Sequence, residues 1–335
     1  MTFEIPKKIK GIVVKKEGQK PEYGEIDVPE LKEGDILVKV EAAPINPTDL
    51  GSLQGKNIGF PMKYPYIPGK EASGTVVAAK GEKEEQLIGK RIGCFTNLQG
   101  PLGGFGEYCL TNIKQIMVLP DDVDFDMGSC SMINPFTVST MLETVKQLKS
   151  KAVVHNVGAS QLGRQMQKLF NANGIEVINI VRREEQVKDL KQQGNKYVLN
   201  QSNEDFWQVF KLLAQELQAT VAFDAIGGDY CAELTKNMPW GSTVFVYGLL
   251  SEQRTSNIDT LQCLLEDKKV SGFVVFYELQ KYTQEKVEEI SKKVASELKT
   301  TFSTQIASKI KQQDFQKGLD EYLKKMSSGK TILIP

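Results

Sequence analysis

The feature that most constrains this chain is a short apolar run that ends in a glycine-containing turn. Residues 152–163 read Ala-Val-Val-His-Asn-Val-Gly-Ala-Ser-Gln-Leu-Gly, and a helical pattern follows. A buried strand that enters a helix through such a turn is typical of a dinucleotide-binding βαβ unit, because N–H groups at the helix start face the pyrophosphate. Ser160 replaces the middle glycine of the Gly-x-Gly-x-x-Gly fingerprint. We expect the pyrophosphate to be bound by Gly158, Ala159, Ser160, Gln161, Leu162 and Gly163.

The residues after the turn predict a helix and a second strand. Apolar residues recur at Leu162, Met166, Leu169 and Phe170, a spacing that places them on one helix face. Residues 177–181, Val-Ile-Asn-Ile-Val, then read as a strand. A βαβ unit therefore surrounds the turn.

Two arginines follow this second strand, where a carboxylate would ordinarily bind the ribose diol of NAD. Arg182 and Arg183 favour a 2′-phosphate instead, since each charge-assisted hydrogen bond contributes about 1.5–3 kcal/mol. NADPH is the predicted cofactor, and NADH is the alternative. Glu184 and Glu185 could bind a diol, but they fit better as first-turn acids of the next helix.

Charge and length exclude several classes of protein. The 335 residues include 42 Lys and Arg and 42 Asp and Glu, so no basic excess indicates a nucleic-acid partner. No apolar run approaches the roughly 20 residues that span a bilayer, so we expect no membrane span. The first six residues resemble neither a signal peptide nor an Arg-rich presequence. We expect a cytoplasmic protein, with a mitochondrial location as the alternative because a removed presequence leaves no trace.

The cysteines and the histidine do not indicate a metal site. The five cysteines are scattered singly, which is typical of buried thiols in a reducing compartment. His155 is the only histidine and lies inside the predicted strand, so we expect it to pack in the core and we expect no metal.

The pattern of predicted elements changes along the chain. Up to about residue 130, short β-type runs separated by turns suggest a small barrel or sandwich. Those runs are 12–14, 36–40, 74–77, 91–95 and 115–119.

From about residue 137, helices alternate with strands, which predicts an α/β fold with a doubly wound parallel sheet. The later strands are expected at 197–200, 220–225, 243–248 and 270–276, and Phe206, Val209, Phe210, Leu213 and Leu217 form the clearest helical stripe. The predicted domains are 1–133 (the β-rich first domain), 134–276 (nucleotide-binding) and 277–335 (a return to the first domain).

The order of these pieces resembles the zinc-independent branch of the medium-chain dehydrogenase/reductase superfamily, which includes NADPH:quinone oxidoreductases and trans-2-enoyl-CoA reductases. The resemblance extends over about 290 residues. Besides the glycine turn, its motifs are Val40-Glu-Ala-Ala-Pro-Ile-Asn-Pro-Thr-Asp49, Ile67-Pro-Gly-Lys-Glu-Ala-Ser-Gly74, Gly104-Phe-Gly-Glu-Tyr108, Ile133-Asn-Pro-Phe-Thr137, Phe223-Asp-Ala-Ile-Gly-Gly228, Val246-Tyr-Gly248 and Gly329-Lys330.

The resemblance implies a GroES-like β-barrel-type catalytic domain beside a Rossmann domain. Zinc-dependent relatives have a Cys where this chain has Asn46 and a His where it has Lys70. Without a Lewis acid, ordinary alcohol oxidation is not expected. We expect hydride transfer to a quinone or an α,β-unsaturated carbonyl instead.

Roles carried over from the family fall on five further positions. Asn46 corresponds to a residue near the nicotinamide ribose, and Thr137 to one that contacts the cofactor. Gly248 and Phe273 would approach the nicotinamide, and Lys330 would contact phosphate; for these last three a purely structural role is equally open.

One departure from the family concerns the proton donor. Related reductases have a tyrosine after a Gln-Gly-type turn, where this chain has Asn57. Tyr64 or Tyr66 could serve instead, since a phenol can protonate an enolate, although packing is the usual role of such residues. We take Tyr64 as the candidate.

Two further hypotheses follow from the same residues. Ser160 and Asn57 leave open a catalytically idle nucleotide-binding subunit of a larger, possibly mitochondrial, complex. The apolar strand 270–276 is expected at a sheet edge, where pairing with a second copy would form a homodimer.

Overall fold

The computed structural model describes residues 3–56, 62–97, 100–324 and 326–335. They form two compact units: unit 1 comprises Met1–Phe136 and Glu288–Pro335, and unit 2 comprises Thr137–Val287. The domain limits 1–133, 134–276 and 277–335 stay a prediction. Unit 2 continues past residue 276, and within it Lys286 Nζ lies 3.3 Å from Glu143 Oε2.

Unit 1 is built mainly from β-strands. Seven strands form a sheet in the order β14-β15-β3-β4-β5-β7, with β6 paired to β3, and β1 and β2 form a separate antiparallel pair. The strands are β1 (Lys8–Val13), β2 (Glu22–Asp27), β3 (Asp35–Pro44), β4 (Glu71–Ala79), β5 (Arg91–Phe95), β6 (Tyr108–Asn112), β7 (Ile116–Val118), β14 (Ile306–Lys311) and β15 (Lys330–Ile334). The α-helices are α1 (Leu50–Leu53), α2 (Glu82–Glu85), α3 (Phe125–Ser129) and α12 (Phe315–Lys324).

The core of unit 1 lies along the longest strand. β3 pairs with β4 on one edge and with β6 and then β15 on the other. Ile36, Leu37 and Val38 are fully buried in it. Both faces are buried over residues 36–38, whereas Lys39 and Glu41 further along the strand are exposed.

Unit 2 is a parallel sheet with helices between its strands. The strand order is β10-β9-β8-β11-β12-β13, so the order reverses at the neighbouring strands β8 and β11. This is the doubly wound order, and the predicted fold class is confirmed. The strands are β8 (Ala152–His155), β9 (Glu176–Val181), β10 (Tyr197–Asn200), β11 (Val221–Asp224), β12 (Thr243–Val246) and β13 (Lys269–Gly272).

The helices of unit 2 are α5 (Gln161–Asn171), α6 (Glu184–Gln192), α7 (Phe206–Glu216), α8 (Gly228–Asn237), α9 (Thr260–Leu265) and α10 (Val275–Leu279). Helices α5 to α9 fill the connections between these strands, and α10 follows the last strand. Two longer helices, α4 (Ile133–Leu148) and α11 (Gln284–Glu297), include residues of both units. No helix among the described residues is long and apolar enough to cross a bilayer.

The predicted strand 270–276 is wrong in its second half. β13 ends at Gly272, and helix α10 begins at Val275. The Phe273 ring packs edge-on against Phe223 and Phe245, at 5.6 and 5.8 Å between centroids, and this packing accounts for its burial. Most residues of β13 itself are exposed, and its only strand partner in the described part of the chain is β12.

Candidate functional site

The glycine turn of unit 2 joins β8 to α5. The Gly158 N–H donates to Ile180 O of β9 at 3.1 Å, which anchors the turn to the neighbouring strand. A Cβ on Gly158 would lie 2.7 Å from Asn179 Cβ, and one on Gly163 would lie 2.5 Å from Gly158 O. Both positions therefore need glycine because neighbouring atoms leave no room for a side chain.

Ser160, the departure from the fingerprint, is the N-cap of α5. Its backbone is extended, with φ −71° and ψ 163°, and its Oγ accepts the Gly163 N–H at 3.0 Å. The hydroxyl thus satisfies one N–H of the first helical turn. Ala159 is buried behind it, and Gln161 and Leu162 begin the helix.

The two arginines follow β9, and both are exposed. Arg183 Nε lies 3.0 Å from Glu185 Oε1, whereas the Arg182 guanidinium has no partner in the described parts of the chain. The Arg182 backbone is fixed, since its N–H donates to Gln186 Oε1 at 3.2 Å and its carbonyl accepts from Ser202 Oγ at 2.9 Å. Glu184 and Glu185 lie in the first turn of α6, which confirms that interpretation.

A buried carboxylate links the two central strands of unit 2, and our sequence reasoning missed it. Asp224, at the end of β11, accepts the N–H groups of Ile226 and Gly227 at 2.8 and 3.1 Å. It also accepts the side-chain amide of Asn156, whose Oδ1 accepts the Ala225 N–H at 2.9 Å. These bonds fix the carboxyl ends of β8 and β11. The signal was a single Asp at the end of an apolar strand.

His155 packs in the core of unit 2, as predicted. Its Nε2 lies 2.7 Å from the Tyr247 hydroxyl, and the two rings stack at 5.9 Å. Burial lowers the pKa of His155 to about 3, so the imidazole is neutral near pH 7 and shares one hydrogen bond with the Tyr247 hydroxyl. Burial also raises the pKa of Tyr247, which keeps it protonated.

Three predicted cofactor residues of unit 2 are buried or closely packed. Thr137 is buried within α4. A Cβ on Gly248 would lie 2.7 Å from Ala225 O, and the Phe273 ring packs as described above. Close packing accounts for Gly248 and Phe273, and a cofactor role for any of the three stays a prediction.

Unit 1 brings together two residues that the sequence pointed to separately. Lys330 Nζ donates to Asn46 Oδ1, and Asn46 Nδ2 donates to Glu71 Oε1 at 2.9 Å. Glu71 Oε2 accepts the Ile133 N–H at 2.9 Å. Burial raises the pKa of Glu71, and the Lys330 ammonium opposes that rise. Because Lys330 is only 5% exposed, its position does not favour the predicted phosphate contact.

A small pocket, open to solvent, lies in unit 1. Its walls include Asp49, Ser52, Tyr64, Tyr66, Lys70 and Thr96. The Tyr64 and Tyr66 rings lie 5.5 Å apart, and the Tyr64 hydroxyl has no partner among the described residues. Burial raises the pKa of Tyr64, with smaller contributions from Tyr66 and Glu17. The predicted departure at Asn57 lies outside the described residues.

Lys70 and Asp49 in the pocket wall are functional candidates that our sequence reasoning did not identify. Lys70 Nζ donates to Thr48 O at 2.5 Å, and its backbone N–H donates to Asp49 Oδ1 at 3.2 Å. Burial lowers the pKa of Lys70, and Asp49 opposes this shift. Burial raises the pKa of Asp49, because it disfavours the charged form of an acid as it does that of a base. The available signal was the charged pair Lys70-Glu71 where an apolar strand begins.

Possible metal ligands do not cluster in the part of the chain that the structure describes. Within the described ranges, no group of three or more His, Cys, Asp or Glu side chains could hold a metal ion. Four cysteines are buried and Cys263 is half-buried, all as free thiols.

Comparison with known proteins identifies both parts of the chain. Residues 32–121 match the family Alcohol dehydrogenase GroES-like domain, and residues 161–294 match the family Zinc-binding dehydrogenase. The chain is 25% identical over 315 residues to the mitochondrial enoyl-acyl-carrier-protein reductase of Rattus norvegicus, covering 92% of this chain and 83% of that one.

Solved structures give the same result. A candidate NADPH:quinone reductase from Mesorhizobium loti superposes with a TM-score of 0.91 at 26% identity, over 99% of this chain and 100% of that one. A mycobacterial protein solved with NADPH has the same fold, with a TM-score of 0.82 at 20% identity over 98% of this chain and 100% of that one. Binding of a nicotinamide cofactor thus occurs among proteins of this fold. The chain is an oxidoreductase of the medium-chain dehydrogenase/reductase superfamily, with a GroES-like and a Rossmann domain.

Proposed function

We propose that this protein is an NADPH-dependent reductase that transfers a hydride, without zinc, to a quinone or an activated enone such as an enoyl thioester. The observation that carries the proposal is the Arg182 guanidinium, which follows the end of β9. It has no partner among the described residues. This strand is hydrogen-bonded to the glycine turn through Gly158 and Ile180. An exposed cation beside a dinucleotide turn suits a 2′-phosphate.

The residues of the turn would hold the pyrophosphate. Residues 158–163 combine a close backbone approach with the positive end of the α5 dipole. Arg183 would contribute less than Arg182 to the 2′-phosphate because Glu185 already pairs with it. Asn46, Thr137, Gly248 and Phe273 complete the proposed cofactor set, and Lys330 is held at Asn46 rather than at a phosphate.

The proposed chemistry needs an acceptor that is already activated. Hydride from the reduced nicotinamide would add to the β-carbon of an enone, and Tyr64 would protonate the resulting enolate. Relatives described as enoyl-acyl-carrier-protein and NADPH:quinone reductases support these two acceptor classes. At Asn46 and Lys70, where zinc-dependent relatives have ligands, this chain has an amide bonded to Glu71 and an ammonium bonded to Thr48 O.

Cofactor titration of the Arg182→Ala variant tests the proposal. A lost charge-assisted bond of about 1.5–3 kcal/mol corresponds to roughly 10- to 100-fold weaker NADPH binding, with little change for NADH. Lys188→Ala removes an exposed charge from α6 and serves as the matched control, in which NADPH binding should stay close to that of the wild type. Equal losses for both nucleotides in Arg182→Ala would contradict the proposal.

A catalytically idle subunit remains the alternative function. In that case NADPH would bind, but no quinone or enone would increase its oxidation above background. Ser160 no longer favours this alternative, since its hydroxyl caps α5. We propose a cytoplasmic location with the mitochondrion as the alternative, which the mitochondrial relatives favour.

A further inference from the structure

The Lys70 ammonium lies in the wall of the unit 1 pocket. Contacts that involve the backbone fix its position. One of its three N–H groups donates to Thr48 O, and the others have no partner among the described residues. The Lys70 backbone N–H donates to Asp49, which fixes the start of the side chain. Lys70 is therefore anchored at both ends and retains donors.

Neighbouring polar groups are already bonded within the wall. The Tyr66 hydroxyl donates to Ser52 Oγ at 3.4 Å, and Thr96 Oγ1 donates to Gly69 O at 2.7 Å. Asp49 is engaged through both oxygens, since Oδ1 accepts from Lys70 N–H and Oδ2 accepts the Asn46 N–H at 2.9 Å. Asp49 thus supports the positive charge of Lys70 without competing for its remaining ammonium donors.

We propose that the Lys70 ammonium binds the carbonyl oxygen of the acceptor and stabilises the negative charge that this oxygen gains during hydride transfer. This inference rests on the proposed reductase function. It assigns to a side chain of this protein the electrophilic role that a metal ion plays in other carbonyl chemistry.

The electrons and protons balance for an enone. The hydride pair from the nicotinamide forms a C–H bond at the β-carbon, the C=C π pair moves to the adjacent C–C bond, and the carbonyl π pair moves onto oxygen beside Lys70. Tyr64 then gives a proton to the α-carbon, and its phenolate is reprotonated by solvent. NADPH is oxidised to NADP⁺, and the enone is reduced to the saturated carbonyl compound.

Kinetics of Lys70 variants provide the first test. Because oxyanion donors typically contribute roughly 10²- to 10³-fold to kcat, we expect Lys70→Met to lower kcat/KM for an enone by that factor while the Kd for NADPH is unchanged. Lys70→Arg keeps the charge and should recover part of the loss. Lys83→Met, on exposed helix α2, removes a charge elsewhere in unit 1 and should match the wild type. A Lys70→Met variant within about threefold of the wild type would overturn the inference.

The pH profile separates a charged electrophile from a packing residue. Activity of the wild type should fall as pH rises through the lowered pKa of Lys70, because the neutral amine no longer stabilises an oxyanion. The other titratable groups lining the pocket are Asp49, Lys56, Tyr64 and Tyr66. This loss of activity at high pH, the alkaline limb of the profile, should be absent in Lys70→Met and present in Tyr64→Phe. An alkaline limb that persists in Lys70→Met would contradict the assignment.

A binding test keeps the inference separate from the proposed reductase function. 4-Nitrophenol mimics the enolate, and its ionised form is detected by its visible absorbance. The wild type should lower the pKa of bound 4-nitrophenol by about one unit or more, and Lys70→Gln, with folding checked by circular dichroism, should not. If none of the quinones and enones makes the wild type oxidise NADPH, the reductase function fails, and this shift alone then decides the role of Lys70. If the wild type produces no shift, Lys70 is not an oxyanion site.

Discussion

Ser160 shows how a departure from a motif can preserve the local structure of the turn. A glycine at this position would have no side chain, whereas the Ser160 Oγ accepts a hydrogen bond from the Gly163 N–H. Loss of an N-cap costs about 0.5–2 kcal/mol for Ala and only a few tenths for Gly. We therefore expect Ser160→Ala, but not Ser160→Gly, to lower the free energy of unfolding in urea by about 1 kcal/mol. NADPH binding by Ser160→Gly should equal that of the wild type, and a large loss would show that the hydroxyl contacts the cofactor.

His155 provides a pH-dependent prediction, because it is the only histidine in the chain. Its pKa is about 3 in the folded protein and 6.5 for an unperturbed histidine, so between these values the unfolded chain binds one more proton. The free energy of unfolding should therefore fall as the pH decreases below 6.5. The slope of this fall should approach about 1.4 kcal/mol per pH unit.

Urea unfolding of the wild type and His155→Gln between about pH 7 and 5.5 measures this effect. Glutamine keeps an acceptor for Tyr247 and does not titrate, so the slope due to His155 should disappear. Carboxylates titrate in both proteins and cancel in the difference. Identical slopes in the two proteins would mean that His155 is not buried in its neutral form.

Residues that act within one local segment could be identified from sequence, whereas contacts between residues far apart in the chain could not. The turn at Gly158 and the cation at Arg182 each follow a strand within the same βαβ unit. Asn156 and Asp224, by contrast, are 68 residues apart, and Asn46 and Lys330 are 284 apart. Periodicity carries no information about such pairs, so the role of Asp224 was missed, and Asn46 and Lys330 were named separately without their contact.

At the scale of elements, helix α7 shows where a predicted stripe and a buried face differ. The stripe included Val209, yet this residue is 39% exposed whereas Phe210 is fully buried. The sheet covers a narrower face than the apolar pattern suggests. Helical periodicity therefore predicted the existence of the helix better than its contacts.

A matched pair of leucines tests this burial. Leu234 on α8 is fully buried in the same cluster as Phe210, and Leu212 on α7 is 62% exposed. Leu234→Ala should lower the free energy of unfolding by about 2–5 kcal/mol, because a cavity adds to the lost apolar contact. Leu212→Ala should change it by less than about 0.5 kcal/mol. Denaturant titration of both variants compares them directly, and similar losses would place Leu212 in the core.

Most strands were predictable because their apolar runs end at turns. β5 and β10 have the predicted bounds, and the six parallel strands occur in the expected order along the chain. The error at 270–276 has a physical cause: a short apolar run fits a strand or a buried helix equally well. In the structure the strand ends at Gly272, and the Phe273 ring packs on the rings of Phe223 and Phe245.

At the scale of the whole molecule, the edge of unit 2 supports the predicted homodimer. In the described part of the chain, β13 has a single strand partner, and the nearby helix α9 exposes Leu261, Leu264 and Leu265. Unpaired strand edges and exposed leucines favour association with a second copy.

Sedimentation at micromolar concentration tests the homodimer. We expect the wild type to be a dimer and Leu264→Lys, which places a charge on a side chain whose residue is 77% exposed, to dissociate. Leu212→Lys is the control on another exposed surface and should remain a dimer. A monomeric wild type would remove the hypothesis.

The position of β15 beside β3 has a consequence for synthesis on the ribosome. Asn46 and Lys330 are separated by 284 residues, so at roughly 5–20 residues per second β3 is made roughly 15–60 s before its C-terminal partner. Unit 2 is continuous and has all its strands before β14 and β15 emerge. During that delay the nascent chain presents an incomplete sheet edge and an unneutralised Glu71. Chaperones that bind exposed strands should therefore engage the N-terminal half of this protein during translation and release it when residue 330 leaves the exit tunnel.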